Sequence, residues 1–251
     1  MKPKIIFFGS DKYSQIVLQS LKKDKRFQIV APAAGGADAG VLASYGKILP
    51  AETLAIPKHG ILNIHPSLLP KYRGPSPIQA AILAGDKQTG VTIIKIDEKV
   101  DHGPIVSQFT ENIQADDTAD SLYRRLFTQG AEVLKTILPA YLEDQIKLRP
   151  QNHSQATYTK KLTRDDGKIN WKKPADYNER FIRAMYPWPG AFTLLRPRHR
   201  RGFAGQAKRL KILKAHLEKG KLILDQVQLE GKKPVTFKQF QEGYPEAKIT
   251  S

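Results

Sequence analysis

Cysteine is absent from the 251 residues. No disulfide framework and no thiolate metal site can form, and a reducing compartment, the cytoplasm, is the compatible expectation. No apolar run approaches the roughly 18 residues that cross a bilayer, so no membrane partner is expected. Met1-Lys2-Pro3-Lys4 leads straight into Ile5–Phe8, a run too short for the apolar core of a secretion signal. Acids are scarce: 24 Asp and Glu face 41 Lys and Arg, for a net charge of +17. Nucleotide-binding fingerprints are lacking too. Gly9-Ser10 does not complete a dinucleotide loop, and no GxxxxGK[ST] occurs. Ser67 lies two residues from His65 without a GxSxG setting, which argues against a serine hydrolase. His59, His65 and His102 lack a regular ligand spacing, so no metal is expected.

The charge that is present is uneven. Residues 1–150 carry 19 Lys and Arg against 15 Asp and Glu; residues 151–251 carry 22 against 9. A basic half joined to a near-neutral half points to a polyanionic partner held by one end of the molecule. A solubilising surface is the bland alternative. The cluster Arg196, Arg198, Arg200 and Arg201 favours nucleic acid, because guanidinium matches phosphate geometry. From Arg196 to Lys214 there are eight basic residues, Lys208 and Arg209 among them, and no acid. Such contacts give salt-dependent, sequence-poor affinity.

The chain opens as β-α-β. Lys4–Gly9 reads as a buried strand, Tyr13–Lys22 as a helix capped near Asp11, and Phe27–Val30 as a second strand. This pattern predicts an α/β fold with a parallel sheet. Ala119–Leu142 reads as a long amphipathic helix that Pro139 ends or bends. Ala175–Met185 reads as another helix. Phe192–Leu195, Leu210–Leu217 and Leu222–Leu229 alternate as strands, with Lys219-Gly220 turning the last two into a hairpin.

The stretch Gly60–Asp101 carries the chemistry. Ile61-Leu62-Asn63-Ile64 ends in His65-Pro66, and proline stops a strand. Residues two apart on a strand share a face about 6.6 Å from each other, so Asn63 and His65 point the same way. The strand Val91–Ile96 leads to the acidic turn Asp97–Gly103. An amide, an imidazole and the carboxylate of Asp101 can then converge at the carboxyl ends of neighbouring parallel strands. Taken singly, each is also a satisfied or solvated polar residue.

HPSLLPKYRGPSPIQ, TGVT and DEKVDHG together resemble the formyltransferases that use 10-formyltetrahydrofolate. YGKILP, YPWPGAFT and QLEGKKP narrow the resemblance to the methionyl-tRNA formyltransferases. It covers most of the chain. It implies a Rossmann-like formyltransferase domain with a mostly parallel sheet over residues 1–162, a linker over 163–190, and a small, reduced β domain over 191–251. It implies 10-formyltetrahydrofolate as formyl donor and initiator methionyl-tRNA as acceptor, with a monomer expected.

Asn63, His65 and Asp101 would then be catalytic. Folate would lie against Tyr45, Gly46, Lys47, Ile48 and Leu49, with Ser67, Leu68, Leu69, Pro70 and Asp97 also facing it; packing into the core is the alternative for Ile48 and Leu49. Arg73 either contacts substrate or braces its loop, and Arg196, Arg198, Arg200, Arg201, Lys208 and Arg209 would hold tRNA.

Two departures stand out. The family follows its second strand with a basic loop, a helix and a strand, whereas here Ala31–Gly40 leads directly to the YG element, through an engineered deletion or natural reduction. The C-terminal barrel also has too few strands, leaving an incomplete barrel or a hairpin. A formyltransferase acting on a sugar-nucleotide or small amine, a formyl-folate hydrolase, and an engineered or degenerate non-catalytic binding remnant are the competing readings.

Overall fold

The computed structural model describes residues 1–32, 35–195, 207–245, 247 and 249. They form two compact units: Met1–Ala81, Asp86–Gln114 and Ser121–Lys161, then Ile82–Gly85, Ala115–Asp120 and Leu162–Ser251.

The first unit is built on six strands in the order β2-β1-β3-β4-β5-β6. They are β1 (Lys4–Phe8), β2 (Gln28–Val30), β3 (Ala39–Leu42), β4 (Ile61–His65), β5 (Gln88–Lys95) and β6 (Ile105–Asn112). β1 to β4 are parallel, but β5 runs antiparallel to β4, and β6 antiparallel to β5. The expected parallel neighbour of β4 on that side is therefore a hairpin strand. β3 and β4 approach closely at Gly40, where a Cβ would come within 2.7 Å of the Ile61 side chain.

β2 lies on one side of β1 and β3 on the other, with only Ala31–Asp38 between them in sequence. A parallel crossover normally takes a dozen or more residues. Here β3 begins opposite Ile5 while β2 ends opposite Ile6. The link must therefore travel about two strand spacings, near 10 Å, with almost no return along the strand.

Helix α1 (Lys12–Lys23) starts at a reciprocal cap: Asp11 accepts from the Ser14 backbone N–H, and Ser14 Oγ lies 3.1 Å from the Asp11 N–H. Two further helices are α2 (Ala51–Leu54) and α3 (Pro77–Ala84). α4 (Ala119–Leu142) keeps Pro139 inside its last turns rather than ending there. Proline leaves the Lys135 carbonyl without its helical donor. The Arg26 guanidinium takes that place at 3.1 Å.

In the second unit, α5 (Ala175–Met185) packs on a four-stranded antiparallel sheet in the order β10-β9-β8-β7. Its strands are β7 (Phe192–Leu195), β8 (Lys208–Glu218), β9 (Lys221–Leu229) and β10 (Val235–Thr236). The hairpin turn is Lys219-Gly220, at φ 48° and 75°. A closing helix, α6 (Phe237–Gly243), starts at a Thr236–Gln239 capping box and buries Phe240. The small, reduced β domain expected from sequence is thus an antiparallel sheet, its β8–β9 hairpin packed on α5 of the expected linker.

Candidate active site

A cavity of about 330 Å³ opens in the first unit beside β3 and β4. Asn63 and His65 reach it from β4, whose five residues are all buried. The strand period puts both side chains on one face. The Ile64 side chain between them packs against Gly130 of α4.

Asp101 joins them from the nine-residue loop between β5 and β6. Because β5 is antiparallel to β4, its end lies beside Leu62, not beside His65. The loop therefore doubles back to bring the carboxylate to the pair. Oδ1 of Asp101 accepts from Asn63 Nδ2 at 3.1 Å. Oδ2 accepts from the Gly74 backbone N–H at 2.7 Å and lies 3.5 Å from His65 Nδ1. His65 Nε2 is 3.0 Å from the Tyr72 carbonyl. A carbonyl only accepts, so Nε2 carries a proton there and Nδ1 is the nitrogen turned to Asp101.

The backbone around the cluster is strained. Tyr72, Gly74 and Asp101 adopt φ of 62°, 100° and 47°. Such a conformation costs a non-glycine residue roughly 1–3 kcal/mol and persists where the surroundings fix it. At Gly74 a Cβ would lie 2.7 Å from the Thr159 carbonyl, so the position needs glycine on space as well as φ.

Arg73, a candidate substrate contact on sequence grounds, is 1% exposed and its side chain is not in the cavity lining. Its guanidinium donates to Gln151 Oε1 at 2.6 and 3.2 Å and to Tyr158 Oη at 3.2 Å, and meets His153 Nδ1 at 2.8 Å. Burial is the main cause holding the His153 imidazole below its usual pKa, helped by His102 and then Arg73. Gln151 in turn donates to the carbonyls of Asp101 and Gly103, at 2.9 and 2.7 Å. Gln151 and His153 carry no local sequence signal that marks them as neighbours of the site. Bridges from Arg149 to Ile105 and from Tyr158 to Arg73 deliver their segment to the loop.

Of the residues expected against folate, Tyr45, Gly46, Lys47 and Ile48 line the cavity. Ile48 is 80% exposed there, with Val100 beside the same space. Leu49 packs on the core around Ile6 and Phe8 instead. Ser67 is buried, its hydroxyl donating to the Lys71 carbonyl at 2.7 Å. Leu69 is in a core cluster with Ile94 and Ile105. Leu68 borders a separate cavity with Lys71 and Asp86. The Pro70 carbonyl accepts from Thr157 N–H at 3.3 Å, and Asp97 pairs with His102 at 2.7 Å. These five lie outside the lining of the cavity that holds Asn63 and His65.

The second unit has its own cavity, about 320 Å³, bordered by Arg164, Trp188, Arg209, Lys211 and Gln228. Trp188 is 54% exposed. The Arg209 guanidinium stacks over Phe192 at 4.4 Å and contacts Asp165 at 2.9 Å. A bulge at Leu213 keeps Lys211 and Lys214, opposite Gln228 and Gln226, on one exposed face. Lys208, also expected at tRNA, starts β8 partly exposed. Arg196, Arg198, Arg200 and Arg201 lie outside the described residues. Among the described residues no group of three or more His, Asp or Glu can hold a metal ion, and no helix is long and apolar enough to cross a membrane.

An amide donor, an imidazole and a carboxylate thus meet at one cavity on an α/β fold, a set of groups of the kind acyl transfer uses. The chain is also similar to known proteins. Residues 4–138 match the family described as Formyl transferase, and 161–222 match Formyl transferase, C-terminal domain. The methionyl-tRNA formyltransferase of Roseiflexus sp. (strain RS-1) is 55% identical over 159 residues, 63% of this chain and 49% of that protein. The methionyl-tRNA formyltransferase of Roseiflexus castenholzii is 40% identical over 241 residues, 78% of this chain and 77% of that one. The chain thus aligns with about half the length of the first relative and three-quarters of the second.

The solved methionyl-tRNA formyltransferase from Clostridium thermocellum has the same fold, at TM-score 0.67 and 19% identity over 90% of this chain and 98% of that one. The chain belongs to the formyl transferase family.

Proposed function

We propose that this chain transfers a formyl group from 10-formyltetrahydrofolate to the α-amine of methionyl-initiator tRNA. The observation that carries the reading is the Asn63–Asp101–His65 cluster at the cavity beside β4. The amine nitrogen attacks the formyl carbon, the C–N10 bond breaks, and the amine's proton must reach the departing N10. A free α-amine has a pKa near roughly 7.7–8.0, so it needs no nucleophilic side chain to activate it.

Asn63 spends one amide N–H on Asp101 and has a second for the oxyanion of the tetrahedral intermediate. Losing such a donor costs on the order of 10²–10³ in rate. His65 handles the proton at Nδ1, since Nε2 is committed to Tyr72, and Asp101 orients it. Tyr45–Ile48 would hold the folate, with its ring system covering the exposed Ile48 and Val100. The cationic face with Trp188 supports RNA as the acceptor's carrier, because phosphates favour Lys and Arg and an exposed indole stacks a base.

The test is formyl transfer from 10-formyltetrahydrofolate to charged initiator tRNA, run beside amino sugars and a no-acceptor control. Formylated methionyl-tRNA is expected. Product only on amino sugars, or only free formate, sinks the reading.

A further inference from the structure

We infer that Arg73 and Gln151 are positioning residues that hold Asp101 in its working orientation. This rests on the formyl-transfer reading above. Three observations carry it. Among the described residues Arg73 is buried without a carboxylate partner: its guanidinium meets the Gln151 amide oxygen, the Tyr158 hydroxyl and His153 Nδ1. An arginine buried merely to stabilise would be expected to meet an acid.

Next, Gln151 is 6% exposed and spends both ends of its amide in one line. Its oxygen takes Arg73; its nitrogen donates to the carbonyls of Asp101 and Gly103. The two arginine N–H bonds fix which way the amide faces, so the donor end must point at the Asp101 turn.

Last, Asp101 has a left-handed backbone, φ 47°, a region aspartate tolerates but populates only as a minority conformation. Its carboxylate is fixed by Gly74 N–H and Asn63, and its carbonyl by Gln151. Arg73 also belongs to the same loop, since its neighbours Tyr72 and Gly74 contact His65 and Asp101 directly. Arg73 is therefore tied to both sides of the cluster: the backbone of its neighbours Tyr72 and Gly74 carries the contacts to His65 and Asp101, and its guanidinium holds the turn opposite through Gln151. Without Gln151 the turn relaxes toward ordinary φ and swings the carboxylate away from His65.

Gln151→Glu separates this role from plain packing. A glutamate keeps the oxygen, and the attraction, for Arg73 but loses the N–H to Asp101 and Gly103. The fold should stand while the strut is cut. A misplacement of about 1 Å at a reacting group can cost about 10²-fold. Expected are a kcat lower by roughly 10–100-fold and a KM for 10-formyltetrahydrofolate within about 2-fold of wild type. Arg73→Lys should behave alike despite keeping its charge, because lysine lacks the fork. The double variant Arg73→Lys/Gln151→Glu should be no worse than the poorer single, since both act through one line.

A second readout does not depend on turnover: the ¹⁵N signals of the His65 ring against pH, assigned with His65→Gln. Gln151→Glu should shift that titration. Wild-type kcat with an unmoved His65 titration in Gln151→Glu overturns the inference, as do single effects that multiply in the double. If wild-type protein formylates nothing, the function reading fails, and the His65 titration alone then decides whether the strut exists.

Discussion

Asp101→Asn removes one charge and almost no volume. Asparagine tolerates the left-handed backbone at φ 47° as readily as aspartate, so the turn can stay formed. What changes is acceptor count. The carboxylate receives Asn63 Nδ2 at one oxygen and Gly74 N–H at the other, with His65 Nδ1 at 3.5 Å. The amide has one oxygen and one NH₂. In either orientation a donor then faces a donor, at Asn63 or at Gly74.

One unmet buried donor costs about 1–3 kcal/mol. At about 2–4 °C per kcal/mol for a domain of this size, the melting temperature should fall by roughly 2–12 °C. Turnover should fall much further, by about 10²–10⁴, because the proton path at His65 Nδ1 loses its charged partner. The assay is steady-state formyl transfer beside calorimetry on the same sample. A kcat within about 3-fold of wild type, with the melting shift present, would refute the assignment of Asp101. Asp101→Ala serves as the harsher control, adding a φ penalty of roughly 1–2 kcal/mol.

Ile48→Asp should raise the KM for folate with little effect on kcat, since an 80% exposed Ile48 at the cavity has ground-state contact to lose, roughly 1.5–3 kcal/mol if it becomes fully covered. Trp188→Ala with Lys211→Ala should weaken tRNA binding and lower the salt slope by about 1 for the lost phosphate contact; equilibrium binding at several salt concentrations reads it. Tyr141, buried with its hydroxyl on the His59 carbonyl at 2.6 Å, has its phenol pushed up to about 12 by burial and then by Asp144. A phenol that ionises later folded than unfolded adds stability below about pH 10 that is lost as pH rises toward 12. Tyr141→Phe should therefore flatten alkaline unfolding in that window, followed by circular dichroism.

Much of this architecture is legible in the sequence because local signals suffice. Asn63 and His65 share a face through the period of two, and His65-Pro66 marks the strand end. Ala119–Leu142, Ala175–Met185 and Phe192–Leu195 have the ends that their apolar patterns indicate. The antiparallel direction of β5 was not legible, because a buried apolar run carries no direction. α6 carries a local signal of its own: Thr236 is followed three residues on by Gln239, a capping box. Arg73 shows another limit. Nothing in KYRG tells a surface guanidinium from a buried one; that depends on Gln151, 78 residues away. The positive φ of Asp101 likewise needs partners from three separated segments.

Single-turnover formyl transfer tests the central claim most directly. Wild-type protein, Asn63→Ala and His65→Ala would each be held in excess over formylatable methionyl-tRNA with saturating 10-formyltetrahydrofolate. The cluster predicts a rate loss of about 10²–10³ for Asn63→Ala, and about 10²–10⁴ for His65→Ala, with folding preserved. Rates within about 3-fold of wild type in both variants would contradict a formyl-transfer site built on Asn63, His65 and Asp101.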